Sequence, residues 1–189
     1  MVASPNKKPP KTGRPERQRV SRRDLLKSGA AVGAAMIAGT GFVASSTASW
    51  AVEVKALQPK TMATLIQLAR DIYPHDRIAD AHYAVAVKSH DDKAAGDAAH
   101  KTLIEDGIAK LDKMARDKGA AGYADVGWES DRTALLHQVS SDGFFQAVRG
   151  GLVVGLYNQK EIWPLFGYEG SSSEHGGYIE RGFDDINWL

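Results

Sequence analysis

The sequence predicts an all-α protein: a small helical bundle closed by an irregular C-terminal segment rich in glycine and aromatic residues. Three observations lead there. Apolar residues recur at spacings of three and four along several stretches of the 189-residue chain, the period of one helix face. No stretch sustains the two-residue alternation of a half-buried strand. The aromatic residues crowd the end: seven of the thirteen after Ala51 lie from Tyr157 onward, among Gly167, Gly170, Gly176, Gly177 and Gly182.

The first fifty residues belong to no bundle. Pro5, Pro9, Pro10 and Pro15 stand among lysines and arginines, a composition unable to bury a core. Residues 1–27 carry nine basic and two acidic groups, residues 28–52 carry none, and the remaining 137 residues hold 15 basic and 21 acidic groups. The formal net charge of +1 therefore hides a basic tail and an acidic body, and an acidic body lacks the clustered positive surface that nucleic acid requires. After the tail come Ser21-Arg22-Arg23-Asp24-Leu25-Leu26-Lys27 and an uncharged run of mostly small residues to Val52. This order resembles a twin-arginine export signal, with Arg22 and Arg23 as its pair, although Leu25 stands where such signals often carry Phe. Before Trp50, only Val32, Met36, Ile37, Phe42 and Val43 are strongly apolar in the run, which favours a removable signal over a membrane anchor. Small residues suit cleavage after Ala51, with Ala48 as a second site. The sequence thus divides into residues 1–51, tail plus signal, and residues 52–189, the body.

Within the body, Met62, Leu65, Ile66, Ala69 and Ile72 share one helix face; Pro59 suits the first turn and Pro74 ends the helix. Residues 81–87 read as a short helix. A further helix carries Leu103, Ile104, Gly107, Ile108, Leu111, Met114 and Ala115 inward, places Glu105, Asp106, Lys110, Asp112 and Lys113 outward, and stops near Gly119. Two more run from Glu129 to Val139 and from Asp142, as N-cap, to about Asn158, the latter with Phe144, Phe145, Val148, Leu152 and Leu156 on one side. Gly150-Gly151-Leu152-Val153-Val154-Gly155 lies in this helical pattern and reads as close helix packing, since a nucleotide fingerprint needs its glycines in a turn after a strand.

Chemistry is sparse. The absence of cysteine excludes disulfides, thiolate metal sites, thiol nucleophiles and covalent haem. The six histidines (His75, His82, His90, His100, His137, His175) form no pair at metal-ligand spacing on one helix and read mostly as surface residues. Glu174 with His175, and Glu180 with Asp184 and Asp185, read as solvated or capping groups rather than an acid/base pair or a calcium site. The aromatic end is too glycine-rich for regular structure and too apolar for water, so it packs either on its own domain or against another subunit. Trp163, Tyr168, Tyr178, Phe183 and Trp188 are the candidate interface residues, and the docking segment spans about 165–189.

The runs Tyr157-Asn158, Ile162-Trp163, Gly167-Tyr168-Glu169-Gly170, Gly176-Gly177-Tyr178 and Arg181-Gly182-Phe183-Asp184-Asp185 resemble the C-terminal signature of the gluconate 2-dehydrogenase subunit 3 family. The stretch Leu65 to Asp76 is similar to that family's opening helix and Pro-x-Asp turn, so the resemblance covers roughly residues 55–189. It implies a small, non-catalytic accessory subunit of a periplasmic, membrane-associated sugar or sugar-acid dehydrogenase. A large glucose–methanol–choline-type flavoprotein would bind FAD and oxidise the alcohol, a cytochrome c subunit would carry haem, and the flavoprotein would be exported with this chain. No catalytic, cofactor-binding or metal-binding residue is carried over, because the family places them on other chains. The residues themselves leave open a self-sufficient periplasmic binding or scaffolding protein.

Overall fold

The fold, taken from a computed structural model that describes residues 35–37, 41–45, 50–180 and 183, is built on five α-helices: α1 (Pro59–Ile72), α2 (Asp80–Ala94), α3 (Ala98–Asp117), α4 (Glu129–Gln138) and α5 (Gly143–Tyr157). Pro59 opens α1, where a missing N–H costs nothing. The exposed amide of Gln58 instead donates to Glu105 Oε1 at 2.7 Å, and the Thr61 hydroxyl donates to Glu105 Oε2. A carboxylate from α3 thus caps α1 at the end where the helix dipole favours negative charge. Asp97 caps α3 through the His100 amide at 2.9 Å. Asp142 occupies the N-cap position of α5 without capping it: its carboxylate is drawn to Lys110 at 2.6 Å.

Met62, Leu65, Leu68 and Ala69 of α1, Tyr83 and Val87 of α2, Ile104 and Leu111 of α3, Leu135 of α4, and Val148, Leu152 and Leu156 of α5 meet in one core. The most extensive helix contact is between α2 and α5, and the glycines of α5 permit it. A Cβ at Gly155 would lie 2.9 Å from the Ala86 carbonyl oxygen, and one at Gly151 would lie 2.8 Å from His90 Nε2. The glycine run is therefore a packing surface, as its helical pattern implied.

Two carboxylates join elements across the core. Asp71 of α1 accepts Arg132 of α4 in a two-pronged pair (2.8 and 3.0 Å) together with the Tyr123 hydroxyl at 2.8 Å. Burial and the adjoining Asp71 charge push the Tyr123 phenol far up, so it stays a donor. Asp91 of α2 accepts the consecutive amides of Lys55, Ala56 and Leu57, each at 2.9 Å, and the Lys88 ammonium at 2.7 Å. Burial would raise its pKa, but the Leu57 amide, Lys88 and the Lys55 and Ala56 amides outweigh it and hold the carboxyl at about 2.

Several expectations need correction. Residues 81–87 are the N-terminal half of a fifteen-residue helix, whose buried polar groups obscure its amphipathic pattern. Asp112 does not face outward: it is buried, accepting the Tyr123 amide at 2.9 Å and the Lys60 ammonium at 2.7 Å. Two of the six histidines are not at the surface. His90 and His100 are both buried, with His90 Nδ1 3.1 Å from His100 Nε2; the reversal between α2 and α3 brings together two residues ten apart. Strands also occur: β1 (Ala35–Ile37), β2 (Phe42–Ser45) and β3 (Ala51–Glu53) form an antiparallel sheet in that order. Three or four residues are too short to show alternation, and β3 runs across the 51/52 boundary that the sequence suggests.

Candidate interaction surface

The end of α1 and the end of α5 build one aromatic corner. Pro74 stops α1, leaving Tyr73 and His75 on the connection, and the chain after Asn158 folds back in a 3-10 segment, Lys160–Phe166. The Trp163 indole N–H donates to the Tyr157 carbonyl at 2.8 Å and fixes that return. Gly167, in the left-handed region at φ 70°, lets the chain turn again, and the Tyr168 amide donates to the Trp163 carbonyl at 3.0 Å.

His75 and Phe166 meet edge to face with centroids 5.2 Å apart, Tyr73 and Tyr157 at 5.7 Å, and Trp163 and Tyr168 at 5.1 Å, the preferred arrangement of aromatic rings. His75 Nε2 lies 2.7 Å from the Tyr157 hydroxyl. Burial, with a smaller contribution from Tyr73, raises the Tyr157 pKa and keeps the phenol protonated. Beside this corner a cleft of about 260 Å³ is lined by Pro74, His75, Asp76, Arg77, Ile78, Leu165 and Phe166.

The sequence-predicted interface residues fall into two groups. Trp163 is partly buried against the core and serves as a strut. Tyr168 is 50% exposed, Tyr178 63% and Phe183 82%. Trp188 lies outside the described residues, as do Asp184 and Asp185 and the Arg22-Arg23 pair. Leu165, Phe166 and Ile179 are exposed as well, and His75 packs edge to face against Phe166. Leu165, Phe166 and Ile179 fall within the expected 165–189 segment without being among its named anchors, whereas His75 lies outside it, although Tyr-Pro-His-Asp is visible in the sequence as a helix-ending turn. Of the candidate chemical groups, Glu174 lies 3.6 Å from Lys160, and His175 Nε2 lies 2.9 Å from the Glu169 carbonyl oxygen. Among the described residues no group of three or more His, Asp or Glu side chains is placed to hold a metal ion, and no helix is long and apolar enough to cross a membrane. The corner offers apolar area with a few polar tips, the make-up of an association surface.

Residues 19–39 match the family model of the TAT (twin-arginine translocation) pathway signal sequence. No curated protein and no solved structure matches the chain. The chain thus carries a signal for the twin-arginine translocase, which supports export to the periplasm or beyond.

Proposed function

We propose that this chain is the small, non-catalytic subunit of an exported FAD-dependent sugar or sugar-acid dehydrogenase of the gluconate 2-dehydrogenase type. It carries the export signal for the large flavoprotein and stabilises it. The observation that carries this reading is the conjunction, on one chain, of a twin-arginine signal and an outward-facing aromatic surface within the segment bearing the glycine and aromatic signature. The twin-arginine route moves folded cargo, so a partner attached in the cytoplasm can cross with the chain that is addressed. FAD belongs to the partner, haem to a cytochrome c subunit, and association with the membrane comes through the complex.

The test is joint export. Replacing Arg22 and Arg23 by lysine keeps the charge but removes the guanidinium forks that a receptor reads. Tagged protein from the periplasm should co-purify with a large subunit showing a flavin spectrum, and the double variant should leave both proteins in the cytoplasm. Recovery of the wild-type chain without a flavoprotein, or unaltered export of the flavoprotein beside the stranded variant, overturns the reading.

A further inference from the structure

The segment that follows the matched signal is built into the folded body. In β2, Val43 is fully buried and belongs to the same core as Val54, Leu57 and Met62. Its strand pairs with β3 in the register Phe42 to Glu53, Val43 to Val52 and Ala44 to Ala51. Trp50 and Val52 are partly buried against the core. The pairing is tied down at the end where Gly41 faces Val54. The Val54 amide donates to the Gly41 carbonyl at 2.7 Å, with Gly41 at φ 96°, a conformation that favours glycine. Directly beyond β3, the amides of Lys55, Ala56 and Leu57 are gathered by Asp91. The bond after Ala51, the best cleavage site by composition, therefore joins two strand residues that both pair with β2, Ala51 with Ala44 and Val52 with the buried Val43.

The geometry points to a β2–β3 hairpin that outlasts export: the Ala51–Val52 bond stays intact, Val43 remains in the core, and any removal of the signal occurs before Gly41. A peptidase needs several residues around the cut bond extended and free of other pairing, so cleavage here requires the hairpin to open first. The twin-arginine route delivers the chain already folded, so the hairpin reaches the peptidase closed. Cleavage after Ala48 would likewise sever Val43 from the chain of the body, and the same inference expects it not to occur. This inference rests on the export signal and the packing of β2, and it is independent of any dehydrogenase partner.

Intact mass and N-terminal sequence of the protein recovered from the periplasm test it directly. The expected N-terminus lies at or before Gly41; an N-terminus at Ser49 or Val52 overturns the inference. A second measurement serves even if export fails. The purified full chain is treated with elastase, which cuts after small residues, and the rate of appearance of Val52 is compared with that of Val43→Ala. Loss of two buried methyl groups should raise the rate roughly tenfold through easier opening. Equal rates in both proteins, matching the rate after denaturation, would show that the hairpin gives the bond no protection.

Discussion

The two flanks of the helical body contain similar ingredients, small residues with interspersed apolar ones, and meet opposite fates. At the N-terminal flank Val43 is fully buried; at the C-terminal flank Phe183 is 82% exposed. The difference lies in the backbone. β2 and β3 satisfy one another's amides and carbonyls in a ladder, so the hairpin can lie against α1 and α2 and direct Val43 inward without stranding polar groups. Beyond Phe166 the chain turns at Gly167, Gly170, Gly176 and Gly177, all at positive φ, and among the described residues it forms one short 3-10 turn, Ser172–His175. Such a path presents no continuous face to its own core, and Tyr168, Tyr178, Ile179 and Phe183 point outward. Apolar content leads to burial where the backbone finds regular partners, and to an exposed patch where it does not.

The comparison is most strongly broken from within the body. Arg132→Ala leaves the Asp71 carboxylate buried without its two-pronged partner and also frees the Val126 carbonyl, which accepts Arg132 Nη1 at 2.8 Å. Loss of one member of a buried pair costs about 3 to 5 kcal/mol, so thermal or urea unfolding should show a large drop in stability. A variant as stable as wild type would mean that α1 and α4 are held together by apolar packing, with the pair adding little.

Acid should act next. Burial, and then the neighbouring His100 and Lys93, lower His90 to about 4, and His100 is also lowered, chiefly by burial. The unfolded chain therefore binds protons more readily. Stability is fully present above about pH 6.5, the ordinary histidine value, and falls as the pH drops through 6.5 towards 4. Asp91 adds a second window: its contribution is present above about 3.8 and is lost as the pH falls towards about 2. Unfolding midpoints should fall first between pH 6.5 and 4. His90→Gln should flatten that limb while leaving the lower one, and an unchanged first limb would show that the histidine pair does not govern it.

How much of this was legible in the sequence follows from what each signal measures. Helices α1, α3, α4 and α5 announce themselves because their apolar residues share a face, and Pro59 and Pro74 bracket the first. Helix α2 was seen only in part, since it buries His90 and Asp91 as well as alanines, and periodicity counts buried polar groups as outward. The same blindness put Asp112 on the surface. The hairpin was hidden because its strands are too short for alternation and sit in a stretch whose composition reads as an export signal. Of the interface, the aromatic end was visible; that Trp163 faces in while Tyr168 faces out depends on one turn at Gly167, which no residue count resolves.

Exposed aromatics of the C-terminal flank should affect stability only slightly, and they separate strut from docking residue most finely. Tyr168→Ala removes one edge-to-face contact with Trp163, worth roughly 0.5 to 1.5 kcal/mol, so the melting temperature should move by only a few degrees. An aromatic anchor at an interface is worth about 2 kcal/mol or more, roughly 30-fold in affinity, so the same variant should lose most of its proposed flavoprotein in co-purification. Trp163→Ala should instead melt early, because it loses core packing and the bond to the Tyr157 carbonyl. Lys113→Ala, on an exposed side chain whose partner Asp117 is 3.8 Å away, should change neither property, since exposed ion pairs contribute little. If Tyr168→Ala retains its partner while Tyr178→Ala and Phe183→Ala lose theirs, the docking surface begins beyond Gly170; if all three retain it, the aromatic flank takes no part in association.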